Sequence, residues 1–133
     1  MEKPHKKLQV WQSAMDLVGE VYKVTARFPE CERYGLISQI RRCAVSIPSN
    51  IAEGAARQSA SESQQFIHVA MGSASELDTQ LEICHKLGYL ESECWKSMDR
   101  KLQEIDRMLS GLRNHLRGAG RKAAVRKPRA EGQ

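Results

Sequence analysis

The sequence has few aromatic residues and no long apolar segment. Aromatics make up 5% of its 133 residues, while alanine, leucine, glutamate, lysine, arginine and glutamine dominate, which is typical of helical proteins. No apolar run approaches the roughly 20 residues needed to span a bilayer. The polar start Met1–Lys7 also lacks the apolar core of a signal peptide. We therefore expect a single helical domain in the cytoplasm, without membrane contact.

Motifs that carry enzyme chemistry or bind metal are also missing. The four cysteines form no C-x-x-C pair and accompany no cluster of histidines, so we expect reduced thiols. Nucleophile-elbow, phosphate-loop and zinc-binding motifs are absent. Glu82–His85 matches the Glu-x-x-His element of di-iron bundles, but such a site needs a second copy and two further core glutamates. The sequence predicts a protein that is not an enzyme and needs no cofactor.

Positive charge is concentrated at the C-terminus. Residues 1–117 carry sixteen Lys or Arg against fifteen Asp or Glu, whereas residues 118–133 carry five against one. Because the last segment has no apolar period, we expect residues 119–133 to form a disordered basic tail. Such a tail ordinarily serves solubility; the alternative is sequence-independent binding of RNA or DNA, since phosphate backbones attract multivalent cations. The candidate binding residues are Arg121, Lys122, Arg126, Lys127, Arg129 and, on the body, Arg42.

Four segments carry apolar residues at alternating three- and four-residue steps, the seam typical of helical bundles. Short connections separate them, so successive helices should be antiparallel neighbours. We predict an all-α domain over residues 1–118, folded as an up-down-up-down four-helix bundle. Ser59 and Ser92 are the expected N-caps of the last two helices, and Gly88 the stop between them. The predicted helices cover residues 7–28, 32–57, 60–87 and 92–117.

The second predicted helix contains a proline near its middle. Pro48 has no N–H to donate to the Ala44 carbonyl, and its ring crowds that carbonyl. The apolar seam nevertheless keeps its register, so we predict a helix that is kinked at Pro48 but continuous. Asn50 and Glu53 also resemble a capping box that would restart the helix. The polar side chains expected to meet backbone groups around the kink are Ser46, Ser49 and Asn50.

The first predicted helix has two apolar seams. One runs through residues 8, 11, 15, 18, 22 and 25, and the other through residues 10, 14, 17, 21, 24 and 28. Either the helix packs centrally against its neighbours, or the second seam is a contact between subunits, since a monomer would expose it. We favour the contact between subunits. The residues assigned to this oligomer interface are Ala14, Leu17, Val21, Val24 and Phe28.

Two adjacent arginines precede the proline segment. Neighbouring residues on a helix point in different directions, so Arg41 should flank the seam while Arg42 points outward. We expect Arg41 to pair with an acidic residue such as Glu76 or Asp78, either on the neighbouring helix or across a subunit contact, because a guanidinium suits bidentate contact with a carboxylate. Arg41 and Glu76 are therefore assigned structural roles.

Three parts of the chain resemble a known family. The string Gln39–Gly54, the start Leu8–Trp11 and the segment Gly72–Leu81 are similar to bacterial four-helix-bundle proteins encoded in 23S rRNA intervening sequences. That family is related to the accessory variability proteins of diversity-generating retroelements. The resemblance implies a homopentameric ring, no settled activity, and a nucleic-acid enzyme such as a reverse transcriptase as a candidate partner.

The residues and the resemblance together predict a non-enzymatic, self-assembling scaffold or accessory protein. It would bind nucleic acid or a nucleic-acid enzyme. No aromatic residues interleave with the basic tail and no base-reading motif is present, so binding should not depend on base sequence. The alternative is a protein-interaction module with no role in nucleic-acid binding.

Overall fold

The computed structural model describes residues 3–126, with side chains described through Lys122. These residues form four α-helices and two 3₁₀ turns, and the described part of the chain contains no strand. α1 packs on α2 and α4, and α3 packs on the same two helices. This arrangement confirms the four-helix bundle, while the pentamer remains a prediction. The helices are α1 (Gln9–Thr25), α2 (Leu36–Ala55), α3 (Ala60–Lys86) and α4 (Ser92–Arg126), and the turns are Pro4–Lys7 and Glu30–Glu32.

The core is built from one apolar stripe on each helix, and on α1 it is the stripe that we assigned to the oligomer interface. Side chains of this stripe are buried within the single chain or, for Val24, packed against its core. The interface assignment is therefore wrong, because α1 lies in the corner between α2 and α4 and turns this stripe inward. Burying each large side chain there stabilises the fold by about 1.5–3 kcal/mol. The residues that belong to the core and not to an oligomer interface are Ala14, Leu17, Val21, Val24 and Phe28.

The ends of α3 follow local sequence signals. Ser59 Oγ accepts a hydrogen bond from the Glu62 amide at 3.1 Å, as predicted for an N-cap. At the other end Gly88 has a φ of +80°, and the amides of Gly88 and Tyr89 bond back to the His85 and Cys84 carbonyls. This pair of bonds is a Schellman motif, for which glycine is the favoured residue. Both predictions for α3 are confirmed.

The predicted start of α4 is correct to the residue, but the predicted cap is wrong. Ser92 is the first residue of the helix and does not precede it. Its hydroxyl lies 3.1 Å from His85 Nε2, on the last turn of α3. The serine therefore joins two helices and does not satisfy an amide at the start of α4.

α2 runs through Pro48 without interruption, as predicted, and its kink remains a prediction. Asn50 Nδ2 donates to the Ser46 carbonyl at 2.8 Å, and not to the Ala44 carbonyl that Pro48 leaves without a donor. Ser46 Oγ also lies 2.8 Å from Ser73 Oγ on α3. The proposed capping box is absent, because the Glu53 carboxylate pairs with Arg57 at 2.7 Å. Ser49 is exposed.

Arg41 does not make the predicted contact with α3. Its Nε donates to Thr25 Oγ1 at 2.9 Å, and its guanidinium lies 4.4 Å from the centre of the Tyr22 ring on α1. Glu76 instead lies 3.4 Å from the thiol of Cys43. Within one chain the prediction fails, because Arg41 lies on the side of α2 that faces α1, whereas Cys43 faces α3. A pairing of Arg41 across a subunit contact stays a prediction.

α4 continues well beyond the predicted end at residues 117–118. The helix extends to Arg126, so residues 119–126 of the predicted disordered tail are helical. Gly118 does not stop the helix, because α4 here lies along the start of α3. A Cβ added at Gly120 would lie 3.7 Å from the Cβ of Ala60. The remainder of the predicted tail, residues 127–133, lies outside the described residues.

Candidate functional site

One end of the bundle brings the first and last described parts of the chain together. Four helices of alternating direction return the chain to the end where it started. A cavity of about 180 Å³ lies at this end. Its lining includes one residue from, or next to, each of the four helices: Leu8, Ile51, Ser63 and Leu116. The Pro4–Lys7 turn packs on α1 and α2 beside it. We call residues 3–7, 53–64 and 113–122 the basic end.

Charge at the basic end is strongly positive. It carries eight Lys or Arg but only two acidic residues, Glu53 and Glu62. Seven of the eight cations are exposed, and Arg113 is partly buried. Arg57 alone among the eight makes an ion pair in the described part of the chain. The eight are Lys3, Lys6, Lys7, Arg57, Arg113, Arg117, Arg121 and Lys122.

The structure places two of the predicted nucleic-acid-binding residues at this end and separates a third from them. Arg121 and Lys122 are exposed on the last turns of α4. Arg42 is exposed on α2, but about 18 Å along the helix axis from Gly54, at a rise of 1.5 Å per residue. Arg126 has no described side chain, and Lys127 and Arg129 lie outside the described residues. The predicted set is therefore only partly one site.

The opposite end of the bundle, residues 26–36 and 82–96, has a different balance. It carries four Lys or Arg against five Asp or Glu. Tyr89 donates a hydrogen bond to Glu32 at 3.0 Å, and the Tyr89 ring packs on Phe28. Carboxylates also lie close together towards the middle of α3, where partial burial and the nearby Asp99 raise the pKa of Asp78. A polyanion should therefore be attracted to the basic end and not to the opposite end.

None of the described residues is arranged for nucleophilic or metal chemistry. His85 Nε2 contacts Ser92 Oγ and the ring stacks on Trp95 at 4.5 Å, but no carboxylate orients it. Burial raises the pKa of Cys84 to about 11 and that of Cys43 to about 12, so both thiols stay protonated at neutral pH. Residues 3–126 hold no group of three metal-ligating side chains. Nor do they include a helix of the length and apolarity that crossing a membrane requires.

A second surface feature is an apolar strip beside the α1–α2 contact. Met15 and Tyr22 are 45% and 42% exposed, and Val45 on α2 is 38% exposed. Val18 and Trp11 lie on the same side of α1 and are partly buried. The other side of α1 is polar, with Glu20 paired to Lys101 of α4. We call residues 11, 15, 18, 22 and 45 the α1–α2 flank.

Comparisons with known proteins agree with this architecture. The model of the 23S rRNA-intervening sequence protein family matches residues 6–111. A crystal structure of a Bacteroides thetaiotaomicron protein with unknown function from the S23 ribosomal protein family superposes with a TM-score of 0.71. The alignment has 23% identity and covers 78% of this chain and 97% of that one, which supports the fold alone. No curated protein matches the chain.

Proposed function

The chain belongs to the 23S rRNA-intervening sequence protein family, and on that premise we propose that its basic end binds nucleic acid without sequence specificity. The observation that carries this proposal is the eight-to-two excess of cations over carboxylates at one end of the bundle. Neutralising phosphates releases condensed counterions, so the affinity should fall steeply as salt rises. The protein would act as a non-enzymatic scaffold.

The geometry of the cations supports affinity and not base recognition. Arg113, Arg117 and Arg121 follow one another at four-residue steps and so lie along one side of α4. Lys3, Lys6 and Lys7 are exposed in and just before the Pro4–Lys7 turn. Long, exposed cationic side chains of this kind contact phosphates, and phosphate contacts carry no base sequence.

The test is a charge reversal with a matched control. Reversing Arg117, Arg121 and Lys122 to Glu should weaken binding of a long RNA or DNA by more than tenfold at ~0.1 M salt, because about three phosphate contacts are lost. The control reverses three cations of the opposite end, Arg27, Arg33 and Lys86, and changes the net charge equally. Equal losses in the two variants, or no binding by the intact chain at low salt, would overturn the proposal.

The α1–α2 flank supports a second proposal, that the chain assembles as a homo-oligomer. The resemblance leads us to propose a pentamer. Exposed Met15, Tyr22 and Val45 form an apolar strip that a neighbouring copy would cover. A homopentamer would place five basic ends on one particle and strengthen binding through multivalency. A reverse transcriptase partner and a purely protein-binding role both remain predictions.

Light scattering of two variants tests the assembly. Met15→Glu combined with Val45→Glu should lower the particle mass towards that of the 15.0 kDa chain, because each charge would be buried without a partner. Gln9→Glu, on the polar side of α1, should leave the mass unchanged. An intact protein that is monomeric at micromolar concentration would contradict the proposal.

A further inference from the structure

One cation of the basic end lies over an aromatic ring. The Arg57 guanidinium lies 4.6 Å from the centre of the Phe66 ring, across the contact between α2 and α3. Its Nη2 also lies 2.7 Å from Glu53 Oε2, one turn earlier on α2. Both contacts restrain the position of the guanidinium. The Arg57 side chain is nevertheless 40% exposed, so part of it is accessible from solvent.

The backbones of α2 and α3 approach each other unusually closely beneath this pair. A Cβ added at Gly54 would lie 3.2 Å from the Ser63 carbonyl oxygen and 3.3 Å from the Cβ of Phe66. Ser63 Oγ donates to the Gly54 carbonyl at 2.8 Å and ties the two helices together. The part of α3 that carries Phe66, the ring over which Arg57 lies, is therefore tightly packed against α2.

A guanidinium that lies over an aromatic ring suits one class of nucleic-acid ligand. Unpaired bases stack on arginine planes and on aromatic rings, whereas bases in a duplex have their faces covered by their neighbours. The other seven cations of the basic end have no described aromatic partner and offer charge alone. Arg57 is thus the one cation of this end, within the described residues, with geometry for stacking as well as charge.

We propose that Arg57, supported by Phe66, is a stacking platform for an unpaired base, so that the basic end prefers single-stranded RNA or DNA to duplex. This inference rests on the proposed function, because it requires the basic end to be the binding site. It adds the class of nucleic acid. The backbone would be held by the surrounding cations, and one base would lie on the outer face of the Arg57 plane.

The molecule contains a matched control for this platform. Arg33 at the opposite end lies 5.6 Å from the centre of the Tyr34 ring and 3.3 Å from Glu30, three residues earlier. Arg33 therefore repeats the arrangement of arginine, aromatic ring and carboxylate where few cations surround it. Substituting lysine for either arginine keeps the charge and removes the planar group.

The experiment compares a fluorescent 20-nucleotide single strand with its duplex on the full-length chain and its Arg57→Lys and Arg33→Lys variants. The intact chain should bind the single strand more tightly. Arg57→Lys should weaken single-strand binding about fivefold to tenfold, as expected for one lost stacking contact, and leave duplex binding and the salt slope unchanged. Arg33→Lys should change neither affinity.

The outcomes separate the two proposals. If the intact chain binds the single strand and the duplex equally well, or Arg57→Lys weakens both equally, the stacking platform is wrong while the basic end remains the binding site. If neither ligand binds at low salt, the proposed function itself fails. If Arg57→Lys melts at the same temperature as the intact chain, the loss of binding is local. If Arg57→Lys is unfolded, Phe66→Leu replaces it in the test. This variant keeps Arg57 and should give the same selective loss of single-strand binding.

Discussion

The two ends of the bundle are built alike but differ in charge. Each has a helix terminus, a short connection and an arginine lying on an aromatic ring, Arg57 on Phe66 at one end and Arg33 on Tyr34 at the other. The basic end has eight cations against two carboxylates, and the opposite end four against five. The difference comes from topology, because an even number of antiparallel helices brings the lysines of the first turn to the same end of the bundle as the end of α4.

The largest expected effect comes from giving the opposite end the charge of the basic end. Replacing Glu30, Glu91 and Glu93 by Lys should tighten binding of a single strand by roughly 10- to 100-fold at ~0.1 M salt, since each added phosphate contact steepens the salt slope by ~0.7. Anisotropy titrations at several salt concentrations measure the slope. An unchanged slope would mean that local charge does not decide which end binds.

A smaller effect is expected from the glycine that joins α2 and α3 at the basic end. Gly54→Ala should lower the free energy of unfolding by about 1–3 kcal/mol, the usual cost of adding a methyl group to a tightly packed contact. The clash is with the backbone oxygen of Ser63, 3.2 Å from the new Cβ, which cannot rotate away. Urea denaturation measures the loss. Gly72→Ala, with no atom within 4 Å of its added Cβ, is the control and should not be destabilising.

The matching glycine of the opposite end acts through its backbone. Gly88→Ala should cost about 1–2 kcal/mol, because an L-residue is strained at positive φ, and φ is +80° here. The space around Gly88 is open, with no atom within 4 Å of an added Cβ. Gly88→Asn should therefore recover part of the loss, since asparagine tolerates this conformation. Equal melting temperatures for the two variants would contradict a backbone origin.

The smallest effect concerns the carboxylates between the two ends. Partial burial and Asp99 raise the pKa of Asp78 above its ordinary 3.8. A raised pKa in the folded state means that this group's contribution to stability is largest below about pH 4 and is lost as the pH rises through the folded pKa. Asp78→Asn should therefore slightly stabilise the fold at pH 7 and not at pH 4. Thermal melts at the two pH values test the sign; a loss at pH 7 would contradict it.

Local signals in the sequence predicted the architecture well. Seam spacing identified the four helices, and Ser59 and Gly88 ended α3 as their chemistry requires. These features depend on residues within one turn of each other.

Features that depend on neighbouring helices were not predictable in the same way. Both stripes of α1 have bundle spacing, and only the contacts with α2 and α4 decide that Leu17 is buried and Met15 exposed. Gly118 is a local stop signal, but packing of Gly120 beside Ala60 extends α4 past it. The contact of Arg57 with Phe66 was not predictable from local spacing, because Phe66 lies on α3 and Arg57 lies in the connection before that helix. The basic end could have been anticipated from the even number of helices.

The two tryptophans allow the most direct test of where nucleic acid binds. Trp11 contacts His5 of the basic end, with ring centres 5.1 Å apart, and Trp95 stacks on His85 at the opposite end. Trp95→Phe keeps only Trp11, and Trp11→Phe keeps only Trp95. Adding a single strand at low salt should change the emission of the Trp11-only protein, reversibly with salt, and leave the Trp95-only protein unchanged. A response from Trp95 alone would contradict binding at the basic end.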